Sequence, residues 1–522
     1  MPEPHPAFRL GRGEWLTLAA IAALGLVTIP QPFAWDQAMF TIGARKLAAG
    51  AVLYRDYWDP KQPAMFAFYW LAGVLFGFHE VGIHTFELIY MLIFAATLMA
   101  VVGSRYGRGI GRVAALLSVG LFFAVCSDGL HAQIECVVGL PLLIALAAAV
   151  RAGEDPGHAA RWLVVSGIAG SVVLLFKLIL LPILAGIWLV ALVDAAAGGV
   201  AALAIAALAI LCGVALPVGA CTAYFAMNGA LELARWTSFV YPVAVLREAH
   251  EPRIRTLILS ARWFALHWAP VAGAALVGLA RARGLFEDRF ALGLVIWILT
   301  GALVLLIQRL SYWPYHFLIF MVPLGCFAAL GLAFLARVLA ARLPAAAPRR
   351  AIAVALALVA FLPSLGPWSA QALALARDGF ALSPGSLRRH LDRVNPGGVY
   401  PKVRAEVAFL NQPGARPGPI WVVGNPLYYW LSGRDQAVPR NGGSFIEYAS
   451  ADEWRSITAS LAAARPAYIY IHDEYGMFLP GQHIRTGSFL TFLATEYEPV
   501  SRTVRGTWFG RREDLPTAEA RP

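Results

Sequence analysis

An uncharged apolar run of about 18 or more residues can hide its backbone amides from lipid only by closing every hydrogen bond within one helix. Such runs recur through the first 370 residues of this chain, as in Val200 to Ala220 and Phe317 to Leu335. The 522 residues are 59% hydrophobic and only 14% charged, against about 25% charged in a soluble domain. The deficit excludes an ordinary water-soluble core and predicts a multi-span helical membrane protein.

Spans are expected at about 15–32, 84–103, 113–127, 136–150, 162–176, 178–193, 200–221, 262–280, 290–307, 317–336 and 351–367. With the N-terminus inside, the inward loops carry Arg105, Arg108 and Arg112; Arg151 and Arg161; Arg281, Arg283 and Arg289; and Arg337, Arg342, Arg349 and Arg350. This is the positive-inside pattern, and it explains much of the net charge of +11. The remaining basic charge suits anionic lipid. No basic, aromatic-interleaved module is present, so nucleic acid is not an expected partner. The first run ends at Thr28-Ile29-Pro30-Gln31-Pro32 without a small-residue cleavage site, which predicts a retained first helix. Ala64 to Phe78 is apolar but only fifteen residues long. A full crossing there would put the arginine clusters outside, so an interfacial or partly inserted helix is expected, with a tilted short span as the rival reading.

After Ser369 the long apolar runs stop and Gly, Pro and polar residues rise. The chain therefore reads as a membrane module, 1–368, followed by a small α/β domain on the outer, extracytoplasmic face, 369–522. Strands are expected at 419–424 and 466–471, and helices at 402–410, 451–464 and 486–495. The five cysteines lie in or beside apolar runs without metal-ligand spacing and read as small apolar filler.

The loop after the first span places Asp36, Asp56 and Asp59 with Arg45, Lys46, Arg55 and Lys61 among aromatic residues. A plain connector can be far shorter. Asp36 falls just beyond the first span, where a carboxylate is costly unless paired or functional. Lys61 is held between Pro60 and Gln62-Pro63, a rigid setting for a cation aimed at a phosphate. The second outer loop, Ser127 to Glu135, offers Asp128, His131, Gln133 and Glu135. Without a partner motif, hydrogen bonding to sugar or to the first loop is a better reading than a metal site. Lys177 interrupts an apolar run, and Arg309, Tyr312, Tyr315 and His316 fall at the level of a lipid phosphate. The longer loop that holds Glu232, Arg247, His250 and Glu251 is expected to shape the entry of lipid or acceptor.

These loops resemble the GT-C class of polyprenyl-phosphate-sugar-dependent glycosyltransferases, in particular the group of protein O-mannosyltransferases, lipid A aminoarabinose transferases and rhizobial galacturonosyltransferases. The resemblance rests on Asp36 after the first helix, Tyr54-x-Asp56, Asp59-Pro60-Lys61-Gln62-Pro63, Gln133-Ile134-Glu135, Lys177, Arg309 to His316, and the tail around Trp421 to Arg434. It covers nearly the whole chain. Two positions depart from the pattern: Asp36-Gln37 stands where many relatives have Asp-Glu, and Lys61-Gln62-Pro63 where Lys-Pro-Pro is usual.

The resemblance implies transfer of a sugar from an isoprenoid phosphate to an acceptor hydroxyl on a lipid, glycan or protein, with inversion at the anomeric carbon. A departing phosphate needs cations more than a general acid. Lys61, Arg309, Tyr315 and His316 would supply that environment, Asp36 would take the acceptor proton, and Asp56, Asp59, Gln133, Glu135 and Lys177 would position sugar or acceptor. No cofactor and no dedicated metal are called for. The rival readings are a polymerase or ligase acting on lipid-linked glycans, which would favour arginine and histidine over an aspartate base, and a lipid-linked sugar transporter or flippase. Paired halves with broken helices would mark the transporter, and this sequence shows none.

Overall fold

The computed structural model describes residues 9–248, 253–281, 284, 287–309, 311–342, 349–443, 445–476 and 478–512. His250, Glu251 and Arg283 lie outside the described residues. Among the described residues, ten helices are long and apolar enough to cross a membrane: Glu80–Tyr106, Arg108–Val125, Ile134–Glu154, Pro156–Phe176, Leu178–Ala196, Val200–Met227, Ile254–Arg281, Arg289–Ile307, Pro314–Arg342 and Ala351–Arg377. The protein is a multi-pass membrane protein. The first expected span forms the 15-residue helix Arg12–Leu26. The short apolar segment forms the 14-residue helix Pro63–Phe76, about 21 Å at 1.5 Å per residue and so shorter than a bilayer's hydrocarbon core.

Contacts divide the described residues into two compact units, which the chain enters and leaves repeatedly. The first comprises residues up to Gln31, Leu75–Ala223 and Glu251–His390, and the second comprises Pro32–Val74, Tyr224–His250 and Leu391 onward.

The first unit holds most of the membrane helices. Small residues set their closest approach. A methyl group on Gly278 would come within 2.0 Å of the Phe327 carbonyl oxygen, and one on Gly331 within 1.9 Å of the Ala274 carbonyl oxygen. Ile254–Arg281 and Pro314–Arg342 thus pack backbone to backbone, as apolar helices do when dispersion rather than water exclusion holds them. Asp288 starts Arg289–Ile307 by accepting the amides of Phe290 and Ala291, each at 3.1 Å.

The second unit carries one four-stranded sheet, in the order β1-β2-β4-β3, built from β1 (Ile420–Val423), β2 (Tyr468–His472), β3 (Tyr497–Arg502) and β4 (Gly506–Arg511). β1 and β2 are parallel, joined through the helix Ala451–Ala464; β4 is antiparallel to both β2 and β3. Ser450 caps that helix, its hydroxyl taking the Glu453 amide while the Glu453 carboxylate takes the Ser450 amide. Behind the sheet lies a core with Trp421, Trp454, Ile469 and Phe489. Residues 52–61 belong to this same unit and are bound into it. Trp58 donates its amide to the Pro439 carbonyl at 2.9 Å and its indole N–H to Thr237 Oγ1 at 3.0 Å.

Candidate active site

In the second unit, the helix Trp35–Ala48 carries Asp36 in its first turn, where the positive end of the helix dipole favours a negative side chain. The Ala34 amide is taken by Gln37 Oε1 at 2.5 Å, so the residue that stands where relatives have Glu works here as the helix cap. Asp36 is half-buried.

The loop that follows is tightly determined. Tyr54 sits at φ +69°, a left-handed conformation that a bulky residue holds only under constraint. Its phenol donates to the Lys61 carbonyl at 2.8 Å, and its amide donates to the Tyr57 carbonyl at 2.7 Å. Asp56 binds Arg55 through both carboxylate oxygens, at 2.9 and 2.8 Å, and accepts the Val52 amide at 2.8 Å. The Arg55 hydrogen bond, then the Val52 amide, hold its carboxyl below the usual range. Asp56 therefore shapes the loop.

Asp59 has no exposed surface. Its Oδ1 accepts the Lys61 amide at 3.0 Å. Burial pushes the carboxyl up to about 6; the Lys61 charge and amide and the Asn441 side chain oppose the rise, and the charge of Asp36 adds to it. Asp36, Asp59 and Lys61 thus form one electrostatic cluster. Arg440 backs the loop: its guanidinium lies 3.9 Å from the Trp58 ring centroid and 2.6 Å from Glu453. The Asn441 side chain donates to the Trp58 carbonyl at 3.4 Å.

The ordinary Asp59 carboxyl would ionise near 3.8, and the folded one near 6. Between those values the native state holds the extra proton, so stability falls as pH rises through this window, by up to roughly 3 kcal/mol. Asp59→Asn stays neutral throughout. It is expected to raise the thermal unfolding midpoint at pH 8 and to match the wild-type midpoint at pH 4. Equal shifts at both pH values would show that the carboxyl is not the cause.

The first unit holds a separate buried polar cluster. Lys177 Nζ donates to Glu135 Oε1 at 2.5 Å, and His316 Nε2 lies 3.7 Å from the same oxygen and 3.2 Å from Gln308 Nε2. Tyr315 packs edge-on against the His316 ring at 4.5 Å. Gln133 donates to the Gly129 carbonyl at 3.3 Å, and the Arg309 carbonyl accepts the Arg253 amide at 3.2 Å. The structure thus brings Glu135, Lys177 and His316 together. Lys177 and Glu135 neutralise each other, and His316 is buried against them.

Three residues of this unit went unread in the sequence as a group. Glu87 is wholly buried and holds His131 Nδ1 and the Ala132 amide, each at 2.6 Å. His84 stacks on His131 at 4.3 Å between ring centroids and meets the Ile29 carbonyl at 2.9 Å through Nδ1. The available signal was an acid inside an apolar span. With His131 turned to Glu87 and Glu135 to Lys177, these two side chains do not share a centre. Among the described residues no three His, Cys, Asp or Glu side chains gather as metal ligands.

No protein-family model matches the chain. No curated protein sequence matches it either. Solved structures do. ArnT from Cupriavidus metallidurans bound to undecaprenyl phosphate is 15% identical, covers 97% of this chain and 100% of its own length, and superposes with a TM-score of 0.57. The same protein in the apo state is 15% identical over 95% of this chain and 97% of its own length, with a TM-score of 0.56. At this identity the likeness speaks for architecture, and it runs from the membrane helices through the C-terminal sheet. The chain has the GT-C fold, shared with ArnT over nearly its whole length.

Proposed function

We propose that this protein is a glycosyltransferase that takes its sugar from a polyprenyl-phosphate carrier and passes it, with inversion, to an acceptor hydroxyl at the outer leaflet of a bacterial plasma membrane, the sheet-bearing tail lying on the periplasmic side. The observation that carries the reading is the Asp36–Asp59–Lys61 cluster on a GT-C fold. That the ArnT structure of this fold was solved with undecaprenyl phosphate supports the choice of donor class.

The chemistry follows from the charges. Asp36 takes the proton of the acceptor hydroxyl as its oxygen attacks the anomeric carbon. Bond cleavage leaves the polyprenyl phosphate with an added negative charge, which Lys61 meets. Asp59 holds the lysine's amide and so fixes the angle at which the ammonium is offered. Arg309, Tyr315 and His316 are assigned to donor-phosphate binding by their loop position. Glu135, Lys177 and Gln133 shape the loops that bear on sugar or acceptor.

The test is incubation of the purified protein with polyprenyl-phosphate sugars and a candidate acceptor, following loss of the donor and release of polyprenyl phosphate. At least one donor is expected to be consumed. Lys61→Ala is expected to raise the donor concentration for half-maximal rate about tenfold, the worth of one charge-assisted contact. A donor dependence unchanged by that substitution would remove the phosphate contact from the scheme.

A further inference from the structure

Several arginines of the first unit line one cavity. A cavity of about 1540 Å³ opens between the ends of Glu80–Tyr106 and Ile134–Glu154, the start of Pro156–Phe176 and the cap of Arg289–Ile307. Arg9, Arg105, Arg108 and Arg151 stand on its wall with two acids, Glu154 and Asp288.

Those acids do not neutralise the wall. Glu154 serves two cations, Arg105 at 2.6 Å and Arg151 at 3.5 Å. Asp288 is committed to the Phe290 and Ala291 amides and to the Tyr106 hydroxyl, at 2.5 Å. Arg108 is paired with Glu14, which lies outside the cavity, yet its side chain stays 53% exposed. The remaining wall is apolar, with Val101, Ile144, Ala148 and Val165 beside Trp162. The cavity is therefore amphipathic, with guanidinium groups at the helix ends and hydrocarbon below them. It is also larger than the roughly 300–1,000 Å³ of an ordinary small-molecule site.

A soluble anion would use the guanidinium groups and leave the hydrocarbon wall wet. A phospholipid satisfies both, because its phosphate and its upper acyl chains are joined at the same spacing as headgroup and hydrocarbon in the surrounding leaflet. Basic pockets between membrane helices on the inward face have this selectivity for anionic headgroups, and the loops bearing these arginines are the ones that charge places inside. We propose that the cavity is a binding site for an anionic phospholipid, its phosphate held by Arg105, Arg108 and Arg151 and its upper chains laid along Val101, Ile144 and Val165.

The full chain, purified in neutral detergent, would be titrated with phosphatidylglycerol, phosphatidylcholine and inorganic phosphate, with binding read by native mass spectrometry. Phosphatidylglycerol is expected to bind about tenfold or more tightly than phosphatidylcholine, and equimolar inorganic phosphate is expected not to displace it. Arg105→Gln with Arg151→Gln should remove most of that preference. Glu154→Gln alone frees both arginines from their competitor and should strengthen phosphatidylglycerol binding about threefold. Equal binding of the two lipids overturns the proposal. Displacement by inorganic phosphate would make this a soluble-anion site and overturns it too, as does a weakened Glu154→Gln protein that still unfolds at the wild-type temperature.

Discussion

Asp36→Asn is expected to lower sugar transfer by about a thousandfold or more while the protein inserts and unfolds as the wild type does. A positioned general base contributes roughly 10²–10⁴ in rate, and no other carboxylate in this loop is placed to substitute. Asp56 is bound to Arg55 and to the Val52 amide. Asp59 is buried and holds the Lys61 amide. Asparagine keeps the size of the side chain, and the helix start stays capped by Gln37. The measurement pairs single-turnover transfer from a polyprenyl-phosphate sugar with a thermal unfolding curve. Turnover within tenfold of the wild type would transfer the base assignment elsewhere.

Lys177→Met is expected to produce the largest loss of stability. Lys177 and Glu135 are in contact at 2.5 Å, with side chains only 13% and 3% exposed. Removing one partner of a buried pair strands the other charge, at a cost of about 3–5 kcal/mol. Replacing both is far milder, since the desolvation cost goes with the charges. Lys177→Met with Glu135→Gln should therefore recover most of what Lys177→Met loses, and the double-mutant cycle in detergent unfolding isolates the pair. If the two single losses simply add, the pair has no coupling and the contact is incidental.

The legible part of this protein is what depends on local runs of residues. Ten expected spans, from 84–103 to 351–367, appear as helices of membrane length, because an apolar run is sufficient cause for a helix in lipid. Strands β1 and β2 were legible as fully apolar, β-rich stretches. β3 and β4 were not. Tyr497-Glu498-Pro499-Val500-Ser501-Arg502 is polar, contains a proline and has a register shift at Pro499/Ser501, so no alternation marks it.

The same limit governs the candidate site. The rigid turn at Lys61 follows from its neighbouring prolines and was readable. That Asp59 would be sealed beneath Asn441, with Trp58 held under Arg440, was not, because those residues are nearly 400 positions apart. The pairing of Lys177 with Glu135 is likewise a tertiary fact. Sequence identified Lys177 as an ionisable group in apolar surroundings and Glu135 as part of a short polar loop, but not that the two would cancel.

The division of the second unit into three separate stretches of chain sets an order on its assembly during synthesis. Residues 32–74 leave the ribosome early, yet the strands and helices that complete their unit begin only at Leu391. At roughly 5–20 residues per second the wait is about 15–60 s. Through that interval Trp58 lacks Arg440 and Pro439, although Phe225 and Thr237, which stack on Tyr54 and accept the Trp58 indole, are already made. A nascent chain halted before residue 391 would carry its helices in the bilayer and an unformed loop outside it. A ribosome stalled before that point should therefore yield protein that is inserted but inactive.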